Sequence, residues 1–153
     1  MKIVIVTTRH GTKDDRIYYK QAISLAKRFN VVIIAPDDDT NLELEDGIHY
    51  HPIPRRNGVI GRLWSIAEAM RAIRQENPNF CHLHDLDLSL AIPAISLFTK
   101  SKIIYDSHEV FTRDDLILGS RLGAWVGNII ARLAEKAEKL LLMYCHHVVT
   151  AVD

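Results

Sequence analysis

Short runs of apolar, mostly β-branched residues recur along the chain and predict the strands of a buried parallel sheet. Continuous apolar runs of this length are typical of strands that are covered on both faces. Five of the runs span Ile3 to Val6, Val31 to Ala35, Phe80 to Leu83, Lys102 to Tyr105, and Val148 to Val152. A sixth run, from Ile48 to Ile53, contains Pro52 and is followed by Pro54, so we expect it at an edge of the sheet.

Amphipathic stretches between these runs predict helices within 17–29, 63–73, 86–98 and 122–144. Asp14 or Asp15 is available at the start of the first helix, the second must end near Asn77-Pro78, and Pro93 predicts a kink or a late start in the third. Strands that alternate with helices predict an α/β fold, here a single Rossmann-like domain of three layers with a mostly parallel sheet of about six strands and helices on both faces. The expected strand order is 3-2-1-4-5-6, with its switch point between the first and fourth strands.

Composition supports one ordinary domain and narrows the classes of function. The 153 residues are 48% hydrophobic and 25% charged, which is enough to bury one core. Because 19 basic side chains balance 19 acidic ones, no global basic field indicates a nucleic-acid partner. The two cysteines have neither a zinc spacing nor a disulfide pattern, which favours a reducing, cytoplasmic location. The apolar start is too short for a signal peptide or a membrane span.

Polar residues gather where the first, fourth and fifth predicted strands end. Ligands of open α/β sheets bind at the carboxyl ends of the strands near the switch point, so we expect these three loops to line one crevice. Gly11 is expected to let the backbone turn sharply and approach a ligand closely. The candidate site residues are His10, Gly11, His84, Asp85, Ser107, His108 and Glu109.

Other chemistries find less support in the spacing of residues. The glycine patterns of dinucleotide sites, P-loops and nucleophile elbows are absent from the sequence. His82 and His84 share one face of a strand, and with His108 as a third ligand they leave a small metal-dependent hydrolase as one alternative. A noncatalytic, flavodoxin-like ligand-binding module is the other alternative.

Four short motifs occur in order along the chain. They are Asp15-Arg16-Ile17 followed by Lys20-Gln21-Ala22 and Leu25-Ala26, the run from His82 to Leu88, the run from Lys102 to Glu109, and Val148-Val149-Thr150-Ala151. Together they resemble the N-terminal, acceptor-side domain of the family-4 retaining glycosyltransferases of the GT-B fold. The resemblance covers the whole chain.

The resemblance implies one half of a two-domain enzyme. Residues 1–153 are then a single N-terminal domain, and the C-terminal donor-binding domain lies outside this chain, which is expected to be inactive alone. The implied reaction moves a hexosyl group from a nucleotide sugar to a glycan or lipid-linked acceptor, with retention at the anomeric carbon and without a required metal or other cofactor.

Site roles also follow from the resemblance. His108 matches the histidine that approaches the reacting sugar, and it is the catalytic candidate. His10 and Gly11 match the loop near the donor diphosphate, although many relatives have a glycine pair there and this chain has one glycine. His84 and Asp85 match the cleft between the two domains.

A local excess of arginine follows the sixth apolar run. Residues 55–74 contain five arginines against Glu68 alone, whereas residues 37–46 contain six acids. Arg55, Arg56 and Arg62, with Trp64 beside them, predict a patch that contacts an anionic membrane or a lipid-linked acceptor. The protein would then be cytoplasmic with a peripheral contact at the inner face of the membrane. The alternative is a solvated loop before a packed helix.

Overall fold

Parallel strand pairing sets the layout of the molecule. The structure is a computed structural model that describes residues 1–36, 44, 47–107, 136 and 139–150. Its strands are β1 (Lys2–Val6), β2 (Asn30–Pro36), β3 (Ile48–Ile53), β4 (Phe80–Leu83), β5 (Lys102–Ser107) and β6 (His147–Thr150). They form one sheet in the order β3-β2-β1-β4-β5-β6, and every pair of neighbours is parallel. The predicted strand order, the edge position of β3 and the switch point between β1 and β4 are confirmed.

The helices connect these strands. Helix α1 is π-helical over Asp15–Ala22 and α-helical over Ile23–Ala26, and it is followed by α2 (Gly58–Glu76), α3 (Leu86–Ser89) and α4 (Ile92–Phe98). Residues 139–142 are also helical. The rest of the helix predicted over 122–144 lies outside the described residues, apart from residue 136, which is helical, and the turn at 143–144.

Local sequence signals decide where the helices begin and end. Asp14 caps α1, because its carboxylate accepts hydrogen bonds from the N–H groups of Arg16 (2.9 Å) and Ile17 (3.1 Å). Helix α2 ends at Asn77, which takes a left-handed φ of 44° before a proline. Pro93 lies in the first turn of α4, so the predicted segment 86–98 is two short helices rather than one cylinder.

The core has two parts, one on each face of the sheet. Alternate residues of β1 and β2 point to opposite faces. Val4, Val6, Val32 and Ile34 belong to the cluster shared with α2, α3 and α4. Ile5, Val31, Ile33 and Ala35 belong to the cluster shared with α1. The three predicted layers are therefore present, with helices on both faces.

We expect Ile73→Ala to lower the free energy of unfolding by about 2–5 kcal/mol, because it removes a fully buried side chain of α2. The matched control is Ile60→Ala on the same helix, where the side chain is 74% exposed and the change should stay within about 0.5 kcal/mol. Urea unfolding followed by circular dichroism measures both. Equal effects of the two substitutions would contradict the packing of α2 on the sheet.

Candidate functional site

Strand alternation places a group of polar side chains on the sheet face that α1 covers. His82 pairs with Ile104 between β4 and β5, so both side chains point to that face. His84 comes two residues after His82, and Asp106 comes two residues after Ile104, so both lie on the same face at the carboxyl edge. Both are buried. The rings of His82 and His84 contact each other, with centroids 4.6 Å apart.

The Asp106 carboxylate is the centre of this group. Arg16 Nη2 donates to both of its oxygens, at 2.7 and 2.9 Å, and Gln21 Nε2 donates to Oδ2 at 3.0 Å. His84 Nδ1 and His82 Nε2 lie 3.7 and 3.8 Å from the same Oδ2. Burial alone would raise the pKa of Asp106, but the hydrogen bond from Arg16 and the charge of His84 outweigh burial and lower it. A buried, ionised carboxylate therefore joins α1 to β5.

A second buried carboxylate, that of Asp85, holds the loop after β1. Its Oδ2 accepts hydrogen bonds from the hydroxyls of Thr7 and Thr8, both at 3.0 Å, and from the N–H of Thr8. Its Oδ1 lies 3.5 Å from His10 Nε2. The Thr7 hydroxyl oxygen in turn accepts from the N–H groups of Arg9 and His10. The loop is thus folded around Asp85, although that residue follows β4.

His10 lies between two carboxylates. While Nε2 faces Asp85, Nδ1 is 3.3 Å from Asp14 Oδ2, and the His10 side chain keeps 29% of its surface exposed. Burial would raise the pKa of Asp14, but the N–H groups of Ile17 and Arg16 and the charge of His10 lower it. The imidazole is therefore oriented from both sides, and part of its surface remains exposed.

The residues proposed from the sequence do not all meet at one point. His10 contacts Asp85, and His84 lies against Asp106. The Gly11 carbonyl accepts a hydrogen bond from the Asp14 N–H at 3.2 Å. Among the described glycines, those with positive φ are Gly47 and Gly58. The turn expected of Gly11 is therefore made without left-handed backbone.

The loop after β5 is described only in part. Ser107 is the last residue of β5 and pairs in register with Thr150 of β6. His108 and Glu109 lie outside the described residues. The catalytic role given to His108 therefore stays a prediction.

Arg16 and Asp106 are site residues that were not predicted from the sequence. One signal was available, because a carboxylate at the end of an apolar, buried strand requires a cationic or hydrogen-bonding partner. That signal does not name the partner, which lies 90 residues away in the chain. Only the fold identifies Arg16 as the partner of Asp106, because it places α1 over the carboxyl end of β5.

The predicted arginine patch divides into two surfaces. Arg55, Arg56 and Arg62 line a cleft of about 320 Å³, together with Arg9, Asn57 and Asp87; we call it the arginine cleft. Trp64 is not part of it. With Ile60 and Leu63, Trp64 forms an exposed apolar surface on the first turns of α2, and each of these three side chains is more than half exposed.

His82, His84 and Asp106 form the group of described residues whose ligand atoms are close enough for a metal ion, within 4.8 Å of one another. The geometry does not suit a cation, because both oxygens of Asp106 already accept hydrogen bonds from the Arg16 guanidinium. A metal would have to displace that positive charge. His82 and His84, which the sequence suggested as metal ligands, are adjacent, but both contact the carboxylate of Asp106 that is paired with Arg16.

Comparison with known proteins shows the family. The sequence profile described as Glycosyltransferase Family 4 matches residues 15–151. The chain belongs to glycosyltransferase family 4. The resemblance carried by the four motifs is therefore confirmed. A comparison of this family-4 chain with curated proteins found no significant match.

A sucrose-phosphate synthase from Thermosynechococcus elongatus has a similar structure, with a TM-score of 0.58 at 13% sequence identity. The similarity covers 98% of this family-4 chain and 47% of that chain. The chain therefore spans about half the length of that protein. Within the described part of the family-4 chain, no helix is both long and apolar enough to cross a membrane.

We expect Asp106→Asn to lower the free energy of unfolding at pH 7 by about 3 kcal/mol, because Arg16 loses its buried anionic partner. Since folding lowers the pKa of Asp106, this stabilisation is present above the pKa of the unfolded state and is lost as the pH falls through the folded-state pKa. The difference between the two proteins should therefore shrink below about pH 4.

Urea unfolding at several pH values measures this difference. Asp87→Asn is the control, because it removes the same charge from a residue whose contact with Arg62 is longer, at 3.8 Å between Oδ2 and Nε, and is half-exposed on the Arg62 side. Its effect should stay below about 1 kcal/mol. A difference for Asp106→Asn that is constant from pH 7 to pH 3 would show that the ion pair does not stabilise the fold.

Proposed function

We propose that this family-4 domain is the acceptor-binding half of a retaining glycosyltransferase. The enzyme moves a hexosyl group from a nucleotide sugar to a glycan or lipid-linked acceptor. The observation that carries the proposal is that polar residues which follow β1 and β4 lie at the carboxyl edge of the sheet with Asp106 at the end of β5, beside the switch point. The similar synthase is about twice as long, which supports a second domain that binds most of the donor.

The described residues suit positioning better than bond breaking. Asp85 and Asp106 are buried and already accept hydrogen bonds from the protein, Asp106 at both oxygens and Asp85 at Oδ2, which suits a structural role better than proton transfer. They hold the loop that carries His10, whose side chain keeps 29% of its surface exposed at the edge where a sugar or a diphosphate would bind. Such preorganised donors stabilise charge that develops on the leaving group without reorganisation during the reaction. In this proposal His108 orients the reacting groups.

The two alternatives have less support. A flavodoxin-like module has the strand order 2-1-3-4-5, whereas this sheet has the order 3-2-1-4-5-6. A metal-dependent hydrolase would need Arg16 to leave Asp106. Membership of family 4 supports a transferase over both.

The chain of 153 residues should fold cooperatively but transfer no sugar from any nucleotide sugar, because the proposal places the donor site on another domain. The measurement is release of nucleoside diphosphate from a panel of nucleotide sugars, with mixed glycans and lipid-linked sugars as acceptors. Robust turnover by this chain alone would contradict the proposal that transfer needs a second, donor-binding domain. Retention of a stoichiometric metal or a flavin through purification would favour the alternatives.

In the complete enzyme, His108→Ala should lower turnover by about 10²-fold or more and leave the melting temperature nearly unchanged, as is typical for loss of a positioned catalytic group. His49→Ala is the matched control, because His49 is an exposed histidine of β3 away from the carboxyl edge, and its loss should leave turnover within about twofold. If the His108→Ala enzyme keeps its activity, or if it fails to fold, the assignment of His108 to the catalytic site is wrong.

A further inference from the structure

We propose that the arginine cleft binds a phosphoryl group of the acceptor, so that the acceptor is a phosphate or diphosphate ester. The cleft has four arginines in its lining, Arg9, Arg55, Arg56 and Arg62, against the single carboxylate of Asp87. The planar guanidinium group matches the geometry of phosphate oxygens and stays charged at every physiological pH. Surplus positive charge in a concave site concentrates anions there.

The beginning of α2 adds hydrogen-bond donors to the same cleft. Asn57 occupies the N-cap position, but its side chain accepts no capping hydrogen bond, and the first turn of α2 contains no acidic residue. The first N–H groups of a helix lack partners within the helix and favour an anion. Helix α1 differs, because the Asp14 carboxylate already occupies its N-terminus.

Close packing brings the arginines to this helix end. A Cβ atom added to Gly61 would lie 3.1 Å from Arg56 Cβ and 3.2 Å from the Arg56 backbone carbon. The absence of a side chain at position 61 therefore lets the Arg55-Arg56 segment lie against the first turn of α2. Even Gly61→Ala would require this segment to move.

The cleft adjoins the candidate site through the loop after β1. Thr8 lines the cleft, and the same residue donates from its hydroxyl and its N–H to Asp85. A phosphoryl group in the cleft would therefore leave the rest of the molecule beside the loop that carries His10. Assigning that group to the acceptor rests on the proposed function, in which the donor binds mainly to another domain; the binding itself does not.

The first test is calorimetric titration of the full chain with inorganic pyrophosphate at low salt. We expect saturable binding to one site that weakens as salt rises. The double variant Arg55→Ala/Arg56→Ala should bind at least about tenfold more weakly, because charged hydrogen bonds to the anion are lost. The matched control is Arg71→Ala/Arg74→Ala, which removes two exposed arginines of α2 outside the cleft and should bind as the unmodified chain does.

Gly61→Ala tests the geometry without a change of charge. It should also weaken pyrophosphate binding, while circular dichroism shows the helix content retained. The proposal is overturned if pyrophosphate does not bind, if the control double variant loses as much affinity as the cleft variant, or if the Arg55/Arg56 double variant binds normally. None of these measurements depends on sugar transfer, so an inactive complete enzyme would leave this inference standing.

Vesicles distinguish a lipid from a water-soluble source of the phosphoryl group. Vesicles that contain phosphatidic acid are compared with neutral phosphatidylcholine vesicles by co-sedimentation. Association with the anionic vesicles that pyrophosphate displaces, and that Trp64→Ser weakens, assigns the group to a lipid-linked acceptor at the exposed apolar surface. Pyrophosphate binding without vesicle association assigns it to a soluble acceptor. Vesicle association that persists in the Arg55/Arg56 double variant, without pyrophosphate binding, overturns the cleft as a phosphoryl site.

Discussion

The ion pair between Arg16 and Asp106 is the constraint on which the carboxyl edge of the sheet depends. The charge of a carboxylate buried at the end of β5 must be compensated. The compensating cation, Arg16, is on α1, the helix that follows β1, and β1 is two strands away from β5 in the sheet. Gln21 adds a second donor from the same helix. Because this contact fixes where α1 begins, the loop that connects β1 to α1 is held at its far end.

Asp85 holds the near end of that loop. Thr7 and Thr8 donate to it directly after β1, and His10 lies against its other oxygen. Two buried carboxylates on adjacent strands thus position one loop by its hydrogen bonds, with no need of left-handed backbone at Gly11. The side chains left accessible above them are those able to reach a ligand. A buried, hydrogen-bonded layer beneath a more exposed one is what a preorganised binding site requires.

Charge is distributed unevenly around this edge. Asp85 and Asp106 lie inside and accept hydrogen bonds from the protein, whereas four arginines line the cleft on the side of α2 together with one aspartate, Asp87. The chain as a whole is neutral, so its total charge conceals a cationic cleft. Anionic substrates are attracted by such local fields rather than by the net charge of the protein.

Most of the fold could be predicted from the sequence, because its signals are local. Apolar runs indicated the strands, Pro52 indicated the edge position of β3, and Asn77 with the following proline indicated the end of α2. His10, His84 and Asp85 could be proposed because each follows a predicted strand at the switch point. The motifs also indicated the family, since they are read directly from consecutive residues.

The sequence by itself determined the elements, their order and the loops that carry polar chemistry. Only the tertiary structure decided which polar groups meet: Arg16 with Asp106 across 90 residues, Thr7 with Asp85 across 78, and Arg9 with the arginines that follow β3. The physical reason is that hydrophobic periodicity reports the face on which each side chain lies, whereas partners distant in sequence are brought together by strand order and by the helix that crosses the sheet.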